Sequence, residues 1–356
     1  MADWIKTSIG SELELLYGKG LKKSIRKPGP IPVFGSNGIV GYHNEPLVQG
    51  PGIIVGRKGS VGEIKYSDSD YFPIDTTYYV SLKNENDIKF FYYFLMTLKL
   101  NKMNSHSAVP GLNRNDVYSL VILIPSPTEQ KAIASVLSSL DDKIDLLHRQ
   151  NKTLEAMAET LFRQWFIEEA DDSWSNDQLG NVIKIFDSKR VPLSKMEREK
   201  MKVGKLYPYY GAAKIMDYIN DYIFEGEYIL LGEDGTVRTD EGFPVMQFAT
   251  GKFWVNNHTH VFRAKEPYSN FFIWNYLVKK NIDEIITGAV QPKINQTNLK
   301  SIDIPNYPKY LVDRFNLETE SLFTKVKSNE KQIRTLEKLR DTLLPKLMSG
   351  EVRVII

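Results

Sequence analysis

The chain has 356 residues, 42% apolar and 25% charged, enough for two domains with cores of their own and incompatible with a disordered chain. It has no cysteine, which removes disulfides, thiolate metal sites and a cysteine nucleophile. The net charge of +2 is spread unevenly, with Lys+Arg against Asp+Glu running 14 to 11 in residues 1–127 (+3), 5 to 8 in 128–170 (−3), 17 to 18 in 171–305 (−1) and 10 to 7 in 306–356 (+3), so any nucleic-acid binding rests on local patches.

From the first residue onward, MADWIKTSIG lacks a basic segment leading into an apolar one, and no apolar run approaches 18 residues. A cytoplasmic protein without a membrane span is expected. Residues 1–127 are rich in Gly, Pro, Tyr and β-branched residues, with short strand-like runs such as GIIVG. An aromatic segment of helical length, DIKFFYYFLMTL, follows, and the extended run VILIPSP closes the region. The spacing predicts a mixed α/β globular domain.

Residues 128–170 change character. Apolar positions Ile133, Leu137, Leu140, Ile144, Leu147, Leu154, Ala158, Leu161 and Trp165 alternate at spacings of 4 and 3, with Asn151 as the polar member of the series. That is a heptad seam on a helix of about 42 residues, roughly 60 Å long. Thr128-Glu129-Gln130-Lys131 after Pro127 supplies a plausible start.

Residues 171–308 repeat residues 1–127. With one offset of 176, Pro32, Gly35, Ile39, Tyr42, Asn44, Gly50, Gly56, Gly59 and Val61 meet identical residues at Pro208, Gly211, Ile215, Tyr218, Asn220, Gly226, Gly232, Gly235 and Val237. Trp4 and Ile9-Gly10 correspond to Trp174 and Leu179-Gly180, and Leu112-Asn113 to Ile294-Asn295. FPIDTTYYV (72–80) aligns with FWVNNHTHV (253–261), which sets Thr77, Tyr78 and Tyr79 against His258, Thr259 and His260. A second aromatic helix (NFFIWNYLVKK) and a second proline-ended strand (IDIPNYP) follow in the same order.

Residues 309–356 carry a second seam through Phe315, Thr319, Leu322, Val326, Asn329, Ile333, Leu336, Arg340, Leu343 and Leu347, in which Thr319 and Arg340 depart from the pattern and Pro345 is expected to kink or end the helix. Two amphipathic helices covering their own domains would give similar patterns over a shorter length. Persistence over four or more heptads favours an intramolecular coiled coil. An antiparallel pair brings Asn151 and Asn329 together as a register-fixing contact.

Catalytic motifs are missing. There is no Gly-rich loop ending in GK[ST], no GxGxxG after a strand, no NPPY- or DPPY-type motif and no HExxH. Glu63-Ile64-Lys65 resembles a nuclease ExK without the accompanying aspartate. His258 and His260, two apart on one strand, present two imidazoles to one face, but their counterparts are not ligands, so no metal is expected. The loop GRKGSVG (56–62) resembles a phosphate grip, yet its counterpart GEDGTVR (232–238) replaces Arg57-Lys58 by Glu233-Asp234. The shared glycines therefore read as a turn with a variable tip.

Recognition remains. Candidate phosphate contacts are Lys22, Lys23, Arg26, Lys27, Arg57, Lys58 and Arg114 in the first domain, and Lys189, Arg190 and Lys195, with Arg198, Lys200, Lys202 and Lys205, in the second. Candidate base readers are His106, Ser107, Asn113 and Arg114, and Asn256, Asn257, His258, Gln291, Lys293, Asn295 and Gln296.

Two diverged globular units, each followed by a long helix, with the segments IPSPTEQ, LDDKI, TLFRQWF and LLPKLMSGEV, resemble the specificity subunit of type I restriction-modification enzymes. The second arm departs from the family pattern, since IPNYPKYLVDRFN lacks the PPxxEQ-like start. The resemblance implies an α+β fold of two tandem pseudo-twofold-related α/β target recognition domains, at residues 1–127 and 171–308. Spacer helices at 128–170 and 309–356 pair as an antiparallel coiled coil. It further implies double-stranded DNA with a bipartite site as target, two methyltransferase subunits and, through the complex, nuclease subunits as partners, and no cofactor of its own. S-adenosylmethionine and ATP with Mg²⁺ would serve those partners. A coiled-coil adaptor with two protein-binding ends is the alternative.

Overall fold

The structure, a computed structural model, describes residues 4–103, 111–288 and 291–354. The chain folds as two compact units, Met1–His148 with Glu330–Ile356, and Arg149–Asn329. Each unit therefore contains one globular domain and one end of each long helix.

In the first unit, β1 (Ile5–Ser8), α1 (Ile9–Glu12) and β2 (Leu13–Tyr17) lead into β3 (Ile31–Gly35) and β4 (Gly38–His43), then β5 (Gly52–Gly56), β6 (Ile64–Ser67), β7 (Phe72–Pro73) and β8 (Thr77–Leu82). Strands β2-β8-β5-β6 form one antiparallel sheet and β4-β3-β7 a second. The run GIIVG is buried at every position, as a continuous apolar run requires of a central strand. Helix α2 (Ile88–Thr97) begins where the Asp87 carboxylate accepts the Phe90 N–H, and it buries Phe90, Phe91, Tyr93, Phe94 and Leu95 in the main core. After α3 (Arg114–Tyr118), β9 (Val121–Ile124) pairs antiparallel with β1.

Helix α4 (Pro127–Arg163) starts with proline in its first turn behind Ser126, whose hydroxyl accepts the Glu129 N–H, and ends in a π-helical turn at Gln164–Glu168. The first unit explains why IPSPTEQ is a distinctive segment. Gln130, 1% exposed, accepts the Asp87 N–H and donates to Asn86 Oδ1 and the Pro125 carbonyl, fixing α4 to the start of α2. Glu129 accepts from Arg353 and Trp4, tying the end of the chain to the same place.

The second unit runs β10 (Asn176–Gln178), α5 (Leu179–Val182), β11 (Ile183–Ile185), α6 (Lys195–Lys200), β12 (Tyr207–Tyr210), β13 (Ile215–Ile219), β14 (Phe224–Gly232), β15 (Met246–Val255), β16 (Thr259–Ala264), α7 (Asn270–Leu277), α8 (Gln296–Lys300) and β17 (Asp303–Pro305). Its sheet has the order β11-β16-β14-β15-β12-β13. Strand β15 does the work of β6 and β7 together. Met246–Phe253 pairs antiparallel with β14, and Trp254-Val255 pairs parallel with β12, which joins the two sheets into one.

Equivalent ladders correct the sequence alignment by one residue. Gly56 pairs with Thr77 and Gly232 with Thr259, while Phe34 pairs with Pro73 and Tyr210 with Val255. Thr77 is thus the counterpart of Thr259 and Tyr78 of His260. His258 precedes the strand, in the turn at residues 257–258, so the two imidazoles do not share a strand face.

Helix α9 (Lys309–Met348) passes through Pro345 and ends three residues later, where the expectation was a kink or stop at the proline. The proline lies in the last turn, and the Ser349 N–H still reaches its carbonyl. Every seam position named above, on both helices, is buried or half-buried. In the first unit Ile144 and Leu147 cluster with Ile333 and Leu336, and Arg340 donates to Asp141 at 2.8 Å. In the second, Asn329 Nδ2 donates to Asn151 Oδ1 at 2.8 Å, and Phe162 and Trp165 meet Phe315. Within each unit, then, rising numbers on α4 face falling numbers on α9, which is antiparallel packing. Thr319 is accommodated because its hydroxyl donates to the Phe315 carbonyl. The second arm, lacking a Glu-Gln pair, is anchored by rings instead: Tyr307 and Phe315 both pack on Phe166.

Candidate nucleic-acid interface

In both units the glycine turn leaving the central strand meets the segment before the short helix α3 or α8. The turn glycines Gly59 and Gly235 have φ of +77° and +76°, a conformation side chains resist. Matching backbone bonds hold the turns. Arg57 N–H donates to Thr76 and Leu112 N–H to Arg57, just as Glu233 N–H donates to His258 and Ile294 N–H to Glu233. A strand side chain adds a third link, since Tyr78 donates to the Leu112 carbonyl at 3.0 Å and His260 Nε2 to the Ile294 carbonyl at 2.8 Å.

Around the first turn the charges are cationic. The guanidinium of Arg57 lies 5.3 Å and that of Arg114 5.1 Å from the ring centre of Tyr17, which packs on Tyr78. Arg57 donates through Nε and Nη2 to the Asp75 carbonyl. Burial, and then the neighbouring Tyr17, push the Tyr78 hydroxyl up to about 12, against the pull of both arginines.

Around the second turn the same space holds an ion network. Asp187, 2% exposed at its side chain, accepts from Gln296 Nε2 at 2.7 Å and the Val261 N–H at 2.8 Å and pairs with His260 Nδ1 at 2.6 Å. Burial alone would raise its pKa. The bonds from His260 and Val261, with Arg190 nearby, outweigh burial and hold the carboxyl below its ordinary range. Arg190 bridges to Glu233 at 2.5 Å and to the carbonyls of Asn257 and Thr259, and Lys293 approaches Glu233 at 3.5 Å. Asp187, Glu233 and His260 offer three ligand atoms within 4.8 Å of one another, but each is already engaged by a protein donor or carbonyl.

A model of the type I restriction modification DNA specificity domain matches this sequence twice, over residues 1–156 and 171–309. The chain belongs to the type I restriction-modification DNA specificity family. Among curated relatives, the type I restriction enzyme MjaIX specificity subunit of Methanocaldococcus jannaschii is 28% identical over 75% of this chain and 69% of its own length. The putative type I specificity subunit S.MpnORF638P of Mycoplasma pneumoniae is 24% identical over 97% and 96%. A crystal structure of the type I restriction-modification S subunit from M. genitalium covers 97% of this chain and 96% of its own, with a TM-score of 0.65 at 20% identity, which establishes a common fold. Family membership makes the chain a DNA-recognition component of such a system, not its catalytic one.

Within the specificity domains the predicted contacts separate into three groups. Lys22, Lys23, Lys27, Lys58, Lys189, Lys195, Asn257, His258, Gln291 and Lys293 are exposed, although His258 is paired with Asp234 at 2.7 Å. A second group is taken up by the scaffold. Arg26 donates to the carbonyls of Val40 and Leu21, Asn113 and Asn295 cap α3 and α8, and Asn256 accepts the His258 N–H while buried. Arg190 and Gln296 belong to this group through the network above, as do Arg198 and Lys202, which converge on Asp217. The third group, Arg57 and Arg114, is gathered at one place. His106 and Ser107 lie outside the described residues. The sequence reading missed Tyr17 and Asp187. Neither carries a motif, and only the ladder register places them beside the turns.

Proposed function

We propose that this chain reads a bipartite duplex DNA site, one half with each globular domain, and holds the halves at a spacing set by α4 and α9. The repetition of the specificity domain over residues 1–156 and 171–309 carries this reading. A chain with two equivalent domains offers two equivalent docking faces, which suits two copies of a methyltransferase subunit. Nuclease subunits join through that complex. S-adenosylmethionine and ATP with Mg²⁺ act in those partners, and the cytoplasm is the place of action. Among the described residues no helix is long and apolar enough to cross a membrane.

The test is single-molecule sequencing of modified adenines in a host carrying the chain with its cognate methyltransferase. The expected result is one motif with two unlike halves separated by unread base pairs, because the turn tips differ in charge between the domains. Absence of any modified-adenine motif, together with duplex affinity that does not respond to salt, would overturn the reading in favour of a protein adaptor.

A further inference from the structure

We infer that five structurally equivalent positions act as a specificity centre in the first unit alone, where they stay open for the acceptor atoms of a guanine edge or a phosphate, and are closed off in the second. The inference rests on the DNA-recognition reading above. The ladders give the equivalence. Tyr17 pairs with Tyr78 in β2-β8, while the Phe186 N–H donates to Val261 one residue before Asp187, so position 17 corresponds to 187 and 78 to 260. The shared turn bonds equate 57 with 233 and 58 with 234. The helix caps Asn113 and Asn295 equate the next residues, 114 and 296.

Four of the five side chains also cluster in both units. Tyr17 contacts Tyr78, Arg57 and Arg114 in the first. Asp187 contacts His260 and Gln296 in the second, and His260 lies 3.8 Å from Glu233. One scaffold thus carries two chemistries.

Their charge states differ. Arg57 and Arg114 place two cations over one ring, with the exposed Lys58 next to Arg57 in the chain, and among the described residues no carboxylate lies within ion-pair distance of any of them. Tyr17 is 52% exposed, so the arginines rest on an aromatic face open to solvent. The Arg114 guanidinium, held over the ring, is already oriented and loses little freedom when it donates to a pair of acceptors, while Arg57 beside it is braced by the Asp75 carbonyl. Acceptor pairs of that kind on DNA are guanine O6 and N7, or two phosphate oxygens. In the second unit the three acids Asp187, Glu233 and Asp234 are engaged from inside the protein, Asp187 by His260, Glu233 by Arg190 and Lys293, and Asp234 by His258. That centre is closed, and the second half-site is read by other residues.

The experiment uses the full chain with its methyltransferase subunits and compares wild type with Arg114→Gln, which installs the second unit's residue, and with Arg114→Lys. Arg114 makes no hydrogen bond through its guanidinium among the described residues, so both variants should fold, and an unchanged thermal transition checks this. If a guanine edge is the ligand, both variants relax one guanine in one half of the motif, and affinity for the original site falls roughly tenfold to a hundredfold. If a phosphate is the ligand, the motif stays. Arg114→Gln then weakens binding to all duplexes alike and lowers the slope of log affinity against log salt by about 1, while Arg114→Lys stays close to wild type. An Arg57→Gln/Arg114→Gln double variant that keeps motif, affinity and salt slope overturns the open centre. Gln296→Ala should leave the second half-site's bases unchanged, and a changed base there overturns the closed one. A wild-type complex that yields no motif would instead sink the DNA-recognition reading itself.

Discussion

Asp187 shows how a single buried carboxylate organises a domain. It has three hydrogen-bonding partners and a nearby guanidinium in a buried place, so removing its charge takes the carboxylate partner from His260 and leaves Arg190 to Glu233 alone. Asp187→Asn is expected to destabilise the second unit by about 3 kcal/mol, the range for breaking a buried ion pair. Four of the five tryptophans, Trp165, Trp174, Trp254 and Trp274, lie in that unit, so urea denaturation followed by fluorescence reports it. The pH dependence follows from the sign of the shift. The folded carboxyl titrates below the ordinary value near 4, so its contribution is present above about pH 4 and is lost as pH falls through the folded value. The Asp187→Asn variant should lack that acid-side loss, and an identical acid profile in both proteins would refute the assignment. The sequence pointed to His258 and His260 but not to this role. The gapless match of FPIDTTYYV to FWVNNHTHV places Phe on Phe and Val on Val, one residue away from the true register, and only the pairing of Gly232 with Thr259 reveals the offset.

At the level of elements, the seams were legible because heptad spacing is a property of the helix itself. The departures in the second seam were not, because their solutions lie elsewhere: Thr319 uses its own helix's carbonyl, and Arg340 uses Asp141 of α4. The missing Glu-Gln start of the second arm has a comparable explanation in the rings around Phe166, which no local pattern announces. The Asn151–Asn329 contact carries a testable cost. Asn329 is fully buried and its Oδ1 has no partner, while its Nδ2 donates to both Asn151 and Gln150. Polar pairs in such seams select register at the expense of stability. Asn151→Leu/Asn329→Leu should therefore be more stable than wild type by about 1 kcal/mol and unfold at a higher temperature, while Asn329→Leu alone, which strands the Asn151 amide, gains less. A double variant less stable than wild type would show that the amides are net stabilising.

For the whole molecule, the internal repeat was the most legible feature, and it constrains function more than any single side chain does. Each long helix supplies one end to each unit. If α4 and α9 set the spacing of the half-sites, one heptad added to both arms preserves the seam and lengthens it by about 10 Å, since seven residues rise 1.5 Å each. At 3.4 Å per base pair that is roughly three base pairs. The modified motif should then keep both halves while its unread gap grows by about three, which adenine-modification sequencing reads directly. A heptad in α4 alone is a different perturbation. It shifts the apolar positions of one helix by two turns against the other, sets Asn151 opposite a leucine or isoleucine, and should abolish modification instead of respacing it. A two-arm insertion that modifies the original motif with an unchanged gap would mean that the spacing is set by the docked subunits and not by these helices.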